Sequence, residues 1–392
     1  MKVFIILKKN IISTLLCIFL LCLVIFSSSN LQAAKNGLVV WATCVIPSLF
    51  PFFIATEMLS HTNIVSSIGK ILNKFMRPLF NIPGEGAYAF IMGLLCGCPV
   101  GAHIVCNLYN NGICTKDEAE RMLAFTNNSG PLFIIGTVGI LLFGNTTIGT
   151  TLFITHLLSA ISVGLLFGAI SKFFKTPKQI VTTYKNVENQ NNNISISNFG
   201  EILTISISKS ITNVLQIGGF IVLFSIIISI LKKIHIFSAF STLLSQFRLS
   251  NNLSAALLGG ILELTNGVTL ASEIHSKIIS SNIVLCGFLL GFGGLCIALQ
   301  VLSIISKCGL SIKKYLYGKV LQGLVQAFYT LLLVQNCAFF NFDIPSNEIS
   351  HQNNAFLIVV FLIMILLQTY IIFTSEKRNI SHNSKKNIYN LV

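Results

Sequence analysis

The chain has 392 residues, of which 53% are hydrophobic and only 10% are charged, and its mean hydropathy is +0.80. A soluble domain carries about 25% charged residues, so this chain lacks the polar side chains that would cover a water-exposed surface of its size. The composition therefore excludes a soluble enzyme, a disordered chain and a collagen-like chain. It predicts an all-α protein that crosses the membrane several times.

The 26 lysines and arginines outnumber the 12 acidic residues, but they lie in short clusters between apolar stretches. Such clusters hold cytoplasmic loops on the inner side of a membrane, so we predict no nucleic-acid partner. The N-terminus, the polar linker and the C-terminal tail are all predicted to be cytoplasmic. The eleven cysteines are scattered without a CxxC pair, and we predict no cofactor and no metal site.

Apolar stretches of about 20 residues, the length of a transmembrane helix, define the predicted spans. The first follows Lys8 and Lys9 and could be a cleaved signal peptide. We predict an uncleaved signal-anchor instead, because the rest of the chain is itself a membrane domain. The predicted spans are 11–28, 38–59, 148–170, 213–231, 283–306, 315–337 and 355–374.

Three apolar segments, at 83–101, 127–131 and 259–267, are interrupted by glycine, proline and polar residues. Broken backbone cannot face lipid, because its N–H and C=O groups would be unpaired, and it is tolerated at membrane depth only inside the protein or beside a wet cavity. We therefore predict a binding site within the membrane.

The broken segments recur along the chain. Phe53 precedes Gly93 by the same interval as Phe220 precedes Gly260, and another broken segment follows in each half, at 127–130 and at 291–294. Paired interruptions in two halves of a chain indicate the substrate site of a transporter. We predict two pseudo-repeats, each with a re-entrant helical hairpin and a broken transmembrane helix; the alternative is chance similarity among apolar segments.

Two acidic residues, Glu57 and Glu263, lie in apolar surroundings. Ionisable residues at such depth face a cavity, pair with a partner, or take up a proton or cation. Glu263 is the stronger candidate for a coupling ion or proton, because Thr265 and Asn266 lie beside it at a predicted hairpin tip. For each acid the alternative is a neutral, hydrogen-bonded structural carboxyl.

Asn127, Asn128 and Ser129 form the other polar group. Their side chains can bind a substrate, while Pro131 can start the following half-helix, whose N-terminus attracts anions. An ordinary loop at the membrane surface is the alternative. The lone His103 could take up a proton.

The remaining motifs have structural explanations. The segment 115–118 (TKDE) is a capping box at the start of a helix. There is no GxSxG, HExxH or P-loop motif in the sequence, so we predict no catalytic residue and no enzyme.

Five motifs together resemble the YlbJ family of sporulation integral membrane proteins over residues 37–340. They are 47–53 (PSLFPFF), 77–86 (RPLFNIPGEG), 125–133 (FTNNSGPLF), 217–221 (IGGFI) and 260–267 (GILELTNG). That family is similar to concentrative nucleoside transporters and to gate domains of ferrous-iron transporters. The resemblance implies a carrier in the mother cell of an endospore-forming bacterium that moves dipicolinic acid, a small aromatic dicarboxylate, across the outer forespore membrane.

The resemblance also implies the site and the partners. The partners are a small-molecule anion and the lipid bilayer, and a homo-oligomer would be ordinary for this architecture. A nucleoside or other small-solute carrier, or a non-transporting assembly protein, are the alternatives. The implied substrate-binding residues are Gly97, Cys98, Pro99, Gly101, Asn127, Asn128, Ser129, Glu263, Thr265 and Asn266.

This interpretation divides the chain into six parts. An amphipathic surface helix is predicted just after the linker from the pattern of Ile202, Ile205, Lys209 and Ser210. The parts are the N-terminal signal-anchor (1–36), a first gate-like repeat (37–171), the polar cytoplasmic linker (172–200), a second gate-like repeat (201–310), C-terminal transmembrane helices (311–375) and a basic tail (376–392).

Overall fold

The computed structural model describes residues 11–62, 64–173, 198–246, 250–274 and 279–335. The predicted span 355–374, the basic tail and most of the linker lie outside these residues. All regular secondary structure within the described ranges is helical, as the composition predicts.

Fifteen α-helices and one long π-helix are described. The α-helices are α1 (Ile11–Ile25), α2 (Ser27–Val40), α3 (Ile46–Ser60), α4 (Ile64–Phe80), α5 (Gly86–Cys96), α6 (Val100–Asn110), α7 (Lys116–Thr126), α8 (Thr146–Phe173), α9 (Phe199–Lys233), α10 (Ile236–Ser245), α11 (Asn251–Leu262), α12 (Leu264–Ser272), α13 (Ile279–Phe292), α14 (Gly294–Ile305) and α15 (Lys313–Gln335). The π-helix is Leu132–Leu142, and a short π-helical turn, Trp41–Val45, joins α2 to α3.

Three helical segments of the described residues are long and apolar enough to cross a membrane: Thr146–Phe173, Phe199–Lys233 and Ser281–Cys308. Each contains one predicted span, at 148–170, 213–231 and 283–306, so these three predictions are confirmed. At the N-terminus, Ser13–Ile25 and Ser27–Thr43 meet at a bend of 97° and would form a fourth span if counted together. The predicted span 11–28 therefore does not correspond to one straight helix, and 38–59 comprises the end of α2, the π-helical turn and α3.

Apolar side chains also cover much of the outside of the described structure. Leu20, Leu21, Val24 and Ile25 on α1 and Leu215 on α9 are all more than half exposed. Extensive exposed apolar surface marks a protein that contacts a membrane or a partner. Together with the long apolar helices, this surface is that of an integral membrane protein.

Two sequence predictions need correction. The amphipathic segment after the linker is not a separate surface helix, because it continues into the apolar part of α9; Ile202 and Ser210 are buried while Lys209 is exposed. The described part of the predicted span 315–337 is a helix, α15, but α15 lacks the apolar composition of a simple span. Its buried face carries polar side chains, including Lys319 and Gln322.

Two pairs of short helices, α5–α6 and α11–α12, cross at facing glycines. A Cβ at Gly93 would lie 3.2 Å from the Cα of Gly101, and a Cβ at Gly267 would lie 2.1 Å from the Cα of Gly260. Without a side chain the backbones can approach this closely. The glycines therefore set the packing distance within each helix pair.

The described helices follow the same order twice: two helices, a pair of short helices, an interrupted helix and a long helix. The interruption lies at 127–130 in the first series, between α7 and the π-helix. In the second it lies between α13 and α14, where Gly293 and Gly294 have φ angles of 82° and 81°. The first series runs from α3 to α8, and the second from α9 to α15.

Candidate functional site

The first break, 127–130, lies inside the protein. α7 ends at Thr126, and Pro131 precedes the π-helix. Asn127 and Asn128 are 0% exposed and Ser129 is 6% exposed, so the break is enclosed by other parts of the protein. π-Helices are rare in proteins, and those that occur are often found at functional sites. The π-helix directly after the break therefore indicates a functional region.

The tip of the α5–α6 pair packs directly on this break. A Cβ at Gly93 would lie 1.8 Å from the carbonyl oxygen of Thr126, and one at Gly101 would lie 2.3 Å from the same atom. Cys98, at the tip, donates a hydrogen bond from Sγ to the backbone oxygen of Asn128 (3.1 Å). The glycine-rich tip and the Asn–Asn–Ser segment, which are implied as one site by the family resemblance, are thus in contact.

One side of the break is held by α15. Gln322 donates from Nε2 to Oδ1 of Asn128 (2.9 Å), and Nζ of Lys319 donates to Oε1 of Gln322 (2.7 Å). Asn128 in turn donates from Nδ2 to the backbone oxygen of Phe125 (2.8 Å). The side chains of Asn128, Gln322 and Lys319 therefore form one buried hydrogen-bonded chain.

The other side is held by α8. The backbone N–H of Ser129 donates to Nε2 of His156 (3.2 Å), and Nδ1 of His156 lies 2.7 Å from Oε1 of Gln326. Because Nε2 accepts a hydrogen bond, the proton of the neutral ring is on Nδ1 and is donated to Gln326. Gln326 completes the chain by donating from Nε2 to the backbone oxygen of Leu152 (3.2 Å). His156 and Gln326 are both 0% exposed.

Two polar groups beside the break have no hydrogen-bond partner among the described residues. Both Nδ2 and Oδ1 of Asn127, and the hydroxyl of Tyr315, are buried without one. The Tyr315 hydroxyl lies next to the Asn127 amide, but the two groups do not meet with hydrogen-bond geometry. Leaving a buried polar group unpaired costs about 1–3 kcal/mol, and such a group in a native structure calls for an explanation.

The second polar break is at Glu263, between α11 and α12. Its carboxylate accepts hydrogen bonds from the backbone N–H groups of Thr265 (3.0 Å) and Asn266 (2.8 Å) and from Nδ2 of Asn266 (2.8 Å). Glu263 is therefore the N-cap of α12, a position that favours a side-chain acceptor. The break packs against Gly294, where a Cβ would lie 2.9 Å from the backbone oxygen of Gly260.

The predicted site residues thus form two separate groups. Gly97, Cys98 and Gly101 meet the 126–130 segment, whereas the side chain of Glu263 bonds to Thr265 and Asn266. No hydrogen bond within the described ranges joins the two groups. They are nevertheless close in the fold, because the π-helix after the first break contacts α12.

Pro99 and His103 line a small cleft between α6, α9 and α14. Asn213 and Gln216 of α9 and Gln300 of α14 are the amides that line it. His103 therefore lies beside polar groups, but outside the cluster around 127–130.

Glu57 occupies a different environment from Glu263. It lies in the last turn of α3, is paired with the exposed Lys209 of α9, and has His61 at 3.7 Å. Glu57 is therefore a carboxylate that pairs with a partner, which is one of the possibilities that the sequence leaves open for it.

Several residues of the buried network were missed by the sequence analysis. The sequence signal that could have identified them is their helical spacing. On α15 they recur every three or four residues, which places them on one face of the helix. All of them are buried. They are Tyr315, Lys319, Gln322, Gln326 and Thr330 on α15, with Thr151, Thr155, His156 and Ser159 on α8.

The buried polar side chains around the break offer several hydrogen-bond donors. An ammonium, amides and hydroxyls converge on the break, and they suit an oxygen-rich or anionic molecule. Within the described part of the chain, no three His, Cys, Asp or Glu residues lie together as a metal site would require.

Two comparisons with known proteins bear on this geometry. A family model described as "Gate: Nucleoside recognition" matches residues 42–147, which include the α5–α6 pair and the first break. The sporulation integral membrane protein YlbJ of Bacillus subtilis (strain 168) is 33% identical over 318 residues, which cover 78% of this chain and 78% of that protein. No solved structure matches the chain significantly.

The first similarity is to a nucleoside-recognition domain, and the second is to an integral membrane protein of sporulation. The YlbJ match extends over most of both chains, as the five sequence motifs predict. The chain therefore belongs to the YlbJ family of sporulation integral membrane proteins.

Proposed function

We propose that this protein is a carrier that moves dipicolinic acid from the mother cell across the outer forespore membrane. The observation that carries the proposal is the break at 127–130, where the unpartnered amide of Asn127 lies among buried polar side chains of α8 and α15. An unpaired buried polar group of this kind in a membrane protein indicates a ligand site, because its burial costs free energy that an apolar side chain at the same position would not cost.

The proposed architecture is two pseudo-repeats, each with a re-entrant hairpin followed by a broken helix. Its support is the repeated order of the helices and the two glycine crossings, Gly93–Gly101 and Gly260–Gly267. In each series the interrupted helix packs on the helix pair that precedes it. Substrate sites of such transporters lie where the discontinuous helices meet.

Transport requires the site to open. Asn127 and Asn128 are fully buried, so the substrate reaches them only when the α5–α6 tip or α15 moves away from the break. A movement of one repeat against the other would provide this access alternately from the two sides of the membrane.

Glu263 is the proposed site of ion coupling. Its carboxylate already accepts three hydrogen bonds, and a cation or proton would bind to the remaining lone pairs of its oxygens. Thr265 and Asn266 supply further oxygen atoms nearby. Glu263→Gln would retain one acceptor oxygen for the cap while removing the charge, so transport with unchanged pH and Na⁺ dependence in this variant would exclude the role.

The direct test is uptake of radiolabelled dipicolinate into proteoliposomes that contain the purified full-length protein, under an imposed proton or sodium gradient. We expect saturable uptake that falls at least tenfold in Asn127→Ala and in the Asn127→Ala/Glu263→Ala double variant. Asn111→Ala, which changes an exposed asparagine after α6, is the matched control and is expected to transport like the unmodified protein.

A nucleoside carrier is the second candidate, and the observation that favours it is the match of residues 42–147 to a nucleoside-recognition gate model. Uptake of radiolabelled uridine, measured beside that of radiolabelled dipicolinate, would separate the two candidates. Saturable uptake of uridine that excess unlabelled dipicolinate does not reduce, with no uptake of dipicolinate itself, would replace the dicarboxylate proposal. An absence of uptake for both, in protein shown to be folded, would favour a non-transporting assembly role.

A further inference from the structure

Lys319 is a lysine buried in the middle of a membrane protein. Its side chain is 2% exposed and lies on the polar face of α15, two turns after the helix begins. A charged side chain in such a position is costly unless it is paired.

No acidic side chain of the described residues forms an ion pair with Lys319. Its ammonium group donates a single hydrogen bond, to Oε1 of Gln322 (2.7 Å), although it can donate three. Lys314, five residues earlier on the same helix, differs from Lys319 because it forms an ion pair with Asp117. The site around Lys319 thus supplies positive charge without a matching negative one.

The neighbours of Lys319 include polar groups that lack a hydrogen-bond partner among the described residues. Tyr315 precedes it by one helical turn, and its hydroxyl is buried and unpartnered, as are both polar atoms of Asn127 beside it. Cys98, at the tip of the α5–α6 pair, lies within electrostatic range of both Lys319 and Tyr315. An ammonium, a hydroxyl and an amide therefore converge at the first break.

We propose that Lys319, with Tyr315 and Asn127, forms a carboxylate-binding subsite that makes the carrier selective for anions. The inference rests on the proposed transport function and deepens it by assigning the charge selectivity of the site to one residue. A carboxylate bound here supplies the missing counter-charge to Lys319, accepts a hydrogen bond from Tyr315 and accepts another from Nδ2 of Asn127. A neutral molecule of the same shape leaves the ammonium unpaired.

The test compares two ligands that share a ring but differ in charge, pyridine-2,6-dicarboxylate and the neutral pyridine-2,6-dicarboxamide. Equilibrium binding of each is measured on the purified full-length protein, on Lys319→Gln and on Lys307→Gln. Lys307 is an exposed lysine that follows α14, so it controls for the loss of one positive charge. We expect the unmodified protein and Lys307→Gln to bind the dicarboxylate at least tenfold more tightly than the dicarboxamide. Lys319→Gln should lose at least tenfold in dicarboxylate affinity while its dicarboxamide affinity is unchanged.

The binding experiment gives one result if the subsite proposal fails and another if the carrier proposal fails. Tight dicarboxylate binding that survives in Lys319→Gln would overturn the subsite and leave the carrier proposal standing. If the unmodified protein binds neither pyridine ligand, the dicarboxylate carrier proposal is overturned and the subsite with it.

A second variant tests the same subsite without removing the lysine. Gln322→Glu places a carboxylate where the Gln322 oxygen contacts Lys319, so the protein itself would neutralise the ammonium. We expect this variant to lose dicarboxylate binding as Lys319→Gln does. Retained binding in a folded Gln322→Glu variant would contradict the proposal even if Lys319→Gln failed to fold.

Discussion

The polar groups at the two helix breaks of this protein obtain their hydrogen-bond partners in different ways. At Glu263 a single carboxylate accepts hydrogen bonds from residues two and three positions ahead. At 127–130 the partners come from distant parts of the chain, with His156 bonded to Ser129 and Gln322 bonded to Asn128. Asn127 remains without a partner.

This difference distinguishes a break that is capped by its own neighbours from one that depends on distant helices, where the substrate site is proposed. The Glu263 break is complete with its own neighbours and would persist if the surrounding helices shifted. The first break exists only where α7, α8 and α15 meet the α5–α6 tip, so movement of any of these elements changes its hydrogen bonds. A ligand that binds there is coupled to the helix arrangement, which is what a carrier requires.

The largest expected effect on stability is at Gly93, where the first break packs on the α5–α6 pair. Gly93→Ala puts a Cβ 1.8 Å from the backbone oxygen of Thr126, and we expect a loss of about 3 kcal/mol or more, because backbone must shift. Thermal unfolding of the detergent-solubilised protein measures it. Gly219→Ala, a helical position with no neighbouring atom within 4 Å, is the control and should not destabilise the protein. Equal melting temperatures for the two variants would contradict the close packing described for the tip.

His156 should have the next largest effect. His156→Leu removes the acceptor of the Ser129 N–H and the donor to Gln326, and each buried group left unpaired costs about 1–3 kcal/mol. The same thermal unfolding assay measures the change. The double variant His156→Leu/Gln326→Leu should recover part of the loss, because both partners of one bond are then apolar. No recovery would show that the His156–Gln326 bond is not the interaction at stake.

At the second break we expect a smaller effect, limited to the helix cap. Glu263→Ala leaves the N–H groups of Thr265 and Asn266 unpaired, and loss of an N-cap acceptor costs about 0.5–2 kcal/mol. Glu263→Gln retains one acceptor and should be closer to the unmodified protein. A loss at Glu263 as large as that at His156, measured by the same unfolding experiment, would remove the distinction between a locally capped break and one that depends on distant helices.

The smallest effect on stability is expected at Asn127, where the effect on binding is among the largest. Asn127→Ala removes two buried polar atoms that have no partner, so the melting temperature should be unchanged or higher. Dipicolinate binding should fall at least tenfold. A variant that is clearly less stable would mean that Asn127 serves the fold, and the contrast between the two breaks would then be one of degree.

Much of the fold follows from local sequence. The spans at 148–170, 213–231 and 283–306 are evident from their apolar length, and the 115–118 capping box forms as its motif predicts. Glycine and proline locate the breaks, because these residues act on their own backbone. The sequence-based predictions were wrong at α9 and at α15. In each case a helix is present as the local pattern indicates, but packing decides where the helix begins or what its polar face contacts.

What the sequence by itself determined is therefore the class of protein, the positions of the interruptions and the polar residues at 127–129. Only the tertiary structure decided that Lys319, Gln322 and His156 face the first break, and that Glu263 is occupied with capping its own helix. The physical reason is distance along the chain: Gln322 and Asn128 are 194 residues apart. A residue acts on its own backbone wherever it stands in the fold, but two side chains meet only where packed helices bring their faces together.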